Sequence, residues 1–96
     1  MILEVAILDV IPGQEADFEQ SFTKAQEIIS SIKGYISHEL KHCVEKPSRY
    51  ISLVNWETLE DHTQGFRGSP EYQDRKALLH HYYDPFPEVE HYEKPG

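Results

Sequence analysis

The residues best suited to chemistry close an apolar run: Asn55-Trp56-Glu57-Thr58-Leu59-Glu60-Asp61-His62. Trp56 ends a strand-like segment, and His62 falls about one and a half turns into the helix that follows. Both can reach the cleft between a sheet and its helices. A neutral imidazole beside an aromatic wall can accept a phenolic proton, because its ordinary pKa of ~6.5 lies near physiological pH. The same two residues also fit an ordinary interior, with Trp56 as core filling and His62 as packing at a helix base.

Other chemistry-bearing residues are scattered. His38 and His42 share one strand face, but four strand residues span ~13 Å, so the pair alone cannot chelate one metal ion. His80-His81-Tyr82-Tyr83 ends the last helix, where carbonyl groups favour positive charge. Adjacent helix positions diverge, so His80 and His81 cannot both face one ligand. Arg49, Arg67 and Arg75 are surface charges or anchors for an acidic or phenolic substrate, and Arg75 is the one to test. Cys43 stands alone, which rules out an intrachain disulfide and a thiolate cluster. No G-x-G-x-x-G, P-loop, H-E-x-x-H or G-x-S-x-G sequence occurs, so no motif points to nucleotide, flavin or zinc.

The elements that must position these residues follow from periodicity. Ile2 to Ile11 alternates, with Leu3, Val5, Ile7 and Ile11 on one side and Ala6, Leu8, Val10 and Glu4 on the other; both faces are mostly apolar. Pro12-Gly13 stops this strand. Gln14 to Ile32 reads as a helix, with Phe18, Phe22, Ala25, Ile28, Ile29 and Ile32 at spacings of three and four. Gly34 suits a left-handed cap. Tyr35 to Val44 and Arg49 to Trp56 read as antiparallel strands joined by a turn at Glu45-Lys46-Pro47-Ser48. In the first of them, Tyr35, Ser37, Glu39, Lys41 and Cys43 face one way and Ile36, His38, Leu40 and His42 the other.

Thr58 followed three residues later by Asp61 resembles a capping box. A short helix through His62 and Phe66 breaks at Gly65 or Gly68. Ser69-Pro70 restarts it with an N-cap and a proline at the first helical position. The restarted helix runs through Tyr72, Arg75, Leu78 and Leu79 to about His81. Asp84-Pro85-Phe86-Pro87 ends it, and Glu88 to Glu93 is a last strand. The order is β-α-β-β-α-β, the ferredoxin-like α+β arrangement with helices on one face of a four-stranded antiparallel sheet.

The 96 residues make one domain, 1–96, with a thin core. The uncovered sheet face, apolar on β1, calls for a second copy. The formal net charge of −8 disfavours nucleic acid and anionic membranes as partners. The N-terminus has no basic leader and no apolar span, so the expected location is cytoplasmic.

Several segments together resemble the antibiotic biosynthesis monooxygenase domain. They are Gly34-Tyr35, Pro47-Ser48-Arg49-Tyr50, Trp56-Glu57-Thr58-Leu59-Glu60-Asp61-His62 and Phe66-Arg67-Gly68-Ser69-Pro70-Glu71-Tyr72. The resemblance implies a dimeric α+β barrel, a homodimer whose two sheets pack face to face. It implies oxygenation of a quinol- or phenol-type substrate by molecular oxygen with no cofactor and no metal, the pocket stabilising a substrate anion. On this resemblance Trp56 and His62 are the candidate catalytic residues. His42, Asn55, Phe66, Tyr72 and Arg75 are the candidate substrate contacts. Two other readings stand beside it. One is a non-catalytic small-molecule binder or stress-related dimer using the same pocket. The other is a haem-binding or haem-degrading relative; the first strand has Ala6 where that branch carries Asn, and the last helix has Arg75 and Lys76 near its ligand position.

Overall fold

The computed structural model describes all residues from Met1 to Gly96. It contains β1 (Ile2–Asp9), α1 (Glu15–Ile29), β2 (Tyr35–His42), β3 (Arg49–Trp56), a π-helical turn (Asp61–Phe66), α2 (Pro70–Leu79), a short 3-10 turn (His80–Tyr82) and β4 (Val89–Tyr92). The sheet order is β2-β3-β1-β4, with every neighbouring pair antiparallel. This is the ferredoxin-like β-α-β-β-α-β fold, with both α-helices on one face.

Alternation decides which face they cover. Glu4, Ala6, Leu8 and Val10 of the first strand region are buried, as are Tyr50, Ser52, Val54 and Trp56 of β3. These positions lie under the helices. Phe18, Phe22, Ala25 and Ile29 recur at helical spacing along α1 and supply the opposing surface. The interior divides into two clusters. One gathers Phe18, Phe22, Tyr50, Leu8 and Leu79; the other gathers Ile29, Val54, Trp56 and Phe66 at the far end of β3.

The opposite sheet face carries Leu3, Val5, Ile51 and Leu53, all half-buried, and Ile7, which is 40% exposed. No element of this chain crosses that face. Its apolar centre is flanked by Ser37, Glu39 and Lys41 on β2 and by Glu90 and Tyr92 on β4.

Some boundaries differ from the sequence expectation. α1 ends at Ile29 and not at Ile32, because Ser30 and Ser31 turn their hydroxyls back onto the carbonyls of Glu27 and Ile28. Gly34 adopts φ +89° in the turn beyond, so it serves the helix-to-strand connection and is not the immediate cap. β2 contains a register shift between Tyr35 and Ser37. Tyr35 is therefore paired with Trp56, and its hydroxyl meets His38 Nδ1. Strict alternation placed these two side chains on opposite faces; the bulge brings them together. The helix through His62 is a π-turn, an irregularity that periodicity does not signal. The Ser69 cap is as expected: its hydroxyl accepts from Tyr72 N at 3.3 Å, with Pro70 at the start of α2.

Candidate functional site

The sheet register assembles the site. Ile2 is opposite Trp56 and Glu4 is opposite Val54, so Glu4 is the diagonal neighbour of Trp56 on the inner face. On the other side of β1, Glu4 is directly opposite His91 of β4. Trp56, Glu4 and His91 thus form a row across three strands. The capped turn after β3, in which Asp61 N donates to Thr58 Oγ1 at 3.2 Å, then lays His62 over this row.

Contacts within the cluster are close. Trp56 Nε1 donates to Glu4 Oε1 at 3.0 Å. His62 Nε2 lies 3.2 Å from the same oxygen. His62 Nδ1 is 2.7 Å from His91 Nε2. The His62 ring stacks on Trp56 with centroids 5.3 Å apart and continues onto Phe66 at 6.1 Å. His62 is only 3% exposed, and burial pushes its pKa down from 6.5 to about 3, with Arg67, His91 and Arg75 adding to the effect. His62 is therefore neutral near pH 7, and its approach to Glu4 is a polar contact from an uncharged imidazole.

A neutral imidazole carries one proton. A carboxylate oxygen at 3.2 Å favours the N–H at Nε2, since a nitrogen lone pair there would repel it. Nδ1 is then the acceptor, and His91 Nε2–H is the donor. Glu4 Oε1 has two neighbours, whereas Oε2 has no protein partner.

A cavity of about 90 Å³ opens beside this cluster, between the inner sheet face and α2. Glu4 and His62 form part of its wall. Ala6, Leu8, Leu79 and Val89 make the floor apolar, and Phe66, Tyr72, Tyr83 and Phe86 supply aromatic surface. Arg75 enters from α2. Its Nε and Nη2 donate to Gln26 Oε1 of α1 at 3.1 and 2.7 Å, and its guanidinium lies over the Phe22 ring at 5.8 Å. Burial lowers the Arg75 pKa, while Tyr83, Glu4 and Tyr72 pull it back. A guanidinium nonetheless stays charged in proteins, so the cavity holds a fixed cation. Burial raises Tyr83 to about 12, against the pull of Arg75.

The cavity gathers His62, Phe66, Tyr72 and Arg75 from the sequence candidates. Trp56 is fully buried behind His62 and supports the wall without lining it. His42 lies elsewhere, stacked on Tyr50 at 4.5 Å with Nε2 near Pro47 O. Asn55 is on the outer sheet face, where its Nδ2 donates to Ser37 Oγ at 3.0 Å. His38 is beside Tyr35, remote from the cavity. No group of three His, Cys, Asp or Glu side chains is arranged to hold a metal ion. Sequence reasoning did not single out Glu4 or His91, and it named Tyr83 only in the run His80-His81-Tyr82-Tyr83 that ends the last helix. For Glu4 the signal was present: a carboxylate interrupts the inward apolar row of β1.

Comparison with known proteins agrees with this architecture. Residues 1–78 match the family described as antibiotic biosynthesis monooxygenase (ABM). A Bacillus subtilis (strain 168) protein, the uncharacterized YczJ, is 56% identical over 93 residues, covering 97% of this chain and 98% of its own. A crystal structure from Bordetella bronchiseptica, of a protein assigned to the antibiotic biosynthesis monooxygenases, superposes with a TM-score of 0.93 at 34% identity. That superposition covers 98% of this chain and 96% of the other. SnoaB, a cofactor-independent oxygenase from Streptomyces nogalater, shares the fold with a TM-score of 0.86 at 17% identity, over 99% of this chain and 93% of its own. The chain belongs to the antibiotic biosynthesis monooxygenase family. No helix is long and apolar enough to cross a membrane.

Proposed function

We propose that this protein is a monooxygenase that takes a small electron-rich aromatic, of quinol or phenol type, and uses the substrate itself to reduce molecular oxygen. The observation that carries the reading is the presence of the fixed Arg75 cation and the His62-braced Glu4 carboxylate inside one aromatic-walled cavity. A quinol that gives up a proton to the open oxygen of Glu4 leaves an oxyanion for Arg75 to hold. An anionic ring is a far better electron donor to oxygen than the neutral one.

The reaction balances without an external reductant. A quinol and O2 give a hydroxyquinone and water: a carbon–oxygen bond forms, the oxygen–oxygen bond breaks, and all electrons come from the ring. The ring carbon surrenders its hydrogen as a proton, and the distal oxygen needs a proton to leave as water. Phe66, Tyr72 and Phe86 would hold the ring, and Trp56 would fix Glu4 and His62 in place.

Size constrains the ligand. An engineered cavity of ~150 Å³ holds benzene, and the present one is about 90 Å³. Binding therefore requires outward movement of Phe86, which is 58% exposed and meets only Tyr83 edge-on and the Lys76 ammonium among aromatic and cationic neighbours. The same reading includes a second copy of the chain. The outer sheet face, with Leu3, Val5, Ile7, Ile51 and Leu53, would pack against its twin to form the α+β barrel.

Oxygen uptake with a panel of quinols tests the function. Wild-type protein should consume oxygen, and a Trp56→Phe, His62→Ala double variant should not exceed the background rate. Saturable binding without oxygen uptake would mean that the cavity sequesters its ligand and the monooxygenase reading is wrong.

A further inference from the structure

We propose that Glu4, His62 and His91 form a proton relay that joins the buried cavity to the surface of the protein. The relay rests on the function proposed above for its chemical purpose, and on its own geometry for its existence.

Three observations lead to it. The first is continuity. Glu4 Oε1 is 3.2 Å from His62 Nε2, and His62 Nδ1 is 2.7 Å from His91 Nε2. Each imidazole can accept at one nitrogen while releasing from the other. The second is placement. Glu4 and His62 are buried and line the cavity, while His91 is half-buried and lines a separate surface recess beside the first strand. The chain therefore has one end in each compartment. The third is the surroundings. Arg67 and Arg75 face His62 from the helical side, and Glu57, Glu60 and Glu93 ring the outer recess with His91. The cations discourage a resting imidazolium at His62, and the acidic rim attracts protons to the entrance.

The resting hydrogen-bond direction points inward. His91 Nε2–H donates to His62 Nδ1, and His62 presents Nε2–H to Glu4. One transfer cycle moves the His91 Nε2 proton to His62 Nδ1 and the His62 Nε2 proton to Glu4 Oε1, while His91 takes a proton at Nδ1 from hydronium or buffer, so that no imidazolate forms. Rotation about the Glu4 Cγ–Cδ bond exchanges the two oxygens and carries the proton to the side free of protein partners, where a ligand can take it. No net charge builds up on His62. Inward delivery is what the distal oxygen needs to leave as water, and the reversed chain afterwards exports the proton taken from the next quinol. His91 does not touch the cavity, so it acts through His62. It lies beyond the residues 1–78 that match the family.

The test uses para-nitrophenol, whose colour reports its ionisation. Wild-type protein with bound nitrophenol is subjected to a rapid pH jump, and the absorbance relaxation is followed by stopped flow. His91→Ala should slow the relaxation by at least about tenfold, and added imidazole should restore it in a saturable way, which a merely structural role would not produce. Pyrrole, of similar size but unable to shuttle protons at this pH, should not. His91→Gln provides a second variant should the alanine variant fail to fold. Equal relaxation rates in wild type and variant overturn the relay. Independently of any ligand, nitrogen NMR of the wild-type protein should find His62 protonated at Nε2 and bare at Nδ1. A proton on Nδ1 alone overturns the inward resting direction, and protons on both nitrogens overturn the relay, because a resting imidazolium cannot accept from His91. Failure of nitrophenol to bind would count against the aromatic substrate alone, so the two failures are separable.

Discussion

Trp56 donates its indole N–H to Glu4, a residue two positions from the one directly opposite it across the β1–β3 pair. The diagonal offset brings the carboxylate to the edge of the indole, in reach of its N–H, while His62 stacks on the ring face. Glu4 is 6% exposed, and a buried charge of this kind is tolerated only when donors meet it.

Trp56→Phe keeps an aromatic ring and removes the donor. The variant should lose about 1–3 kcal/mol of stability, the typical consequence of leaving a buried acceptor short of a partner. Guanidinium unfolding followed by circular dichroism measures this. A loss below a few tenths would mean that solvent already satisfies Glu4.

Stability should fall with acid because of His62. Its folded pKa of about 3 is below the ordinary 6.5, so between these values the unfolded chain binds the extra proton. The contribution is intact above pH 6.5 and is lost as pH falls toward 3. The slope attributable to it is at most about 1.4 kcal/mol per pH unit. His62→Gln should flatten the stability curve in that window relative to wild type; parallel curves would show that His62 titrates normally.

Gly34 has φ +89°, and an added Cβ would run into the Asp61 side chain. Gly34→Ala should destabilise the protein by about 1–3 kcal/mol. Adding Asp61→Gly should recover only part of this, since the backbone strain remains. Full recovery in thermal melts would assign the whole effect to the clash.

Arg75→Leu should weaken the preference of the cavity for a phenolate. The pKa of bound para-nitrophenol should rise relative to its value in wild type, because the cation that favours the ionised form is gone. A spectrophotometric titration of the bound dye gives the answer, and an unshifted value would remove Arg75 from the site. Gln26→Leu offers a milder control, since it frees the guanidinium without deleting it.

Leu53→Lys places a charge in the middle of the outer sheet face. If two chains pack there, sizing with light scattering should change from dimer to monomer mass at micromolar concentration. A wild-type monomer at that concentration would refute the barrel.

Much of this organisation was legible in the sequence, and the exceptions have physical causes. Two-residue alternation along Leu3–Val10 and three-and-four spacing along Phe18–Ile29 fixed element types and buried faces, because both patterns reflect how side chains leave the backbone. Ser69-Pro70 marked the start of α2 through local hydrogen bonding. The bulge at Tyr35 was invisible, since an inserted residue breaks the very alternation used to read a strand. The cavity gathered Phe66, Tyr72 and Arg75 around His62, but Asn55 and His42 face elsewhere. Their neighbours depend on strand order and register, which linear spacing does not encode. His91 was hidden for the same reason: it meets Glu4 and His62 only after β4 pairs with β1.

The closing stretch from Tyr83 to Val89 supplies a side of the cavity yet follows the matched residues 1–78. Val89 is held by its pairing with Ala6 and Tyr83 by its bridge to Val10, whereas Phe86 and Pro87 belong to no helix or strand. Exchanging those two side chains would reshape the mouth of the cavity and leave the frame beneath it intact.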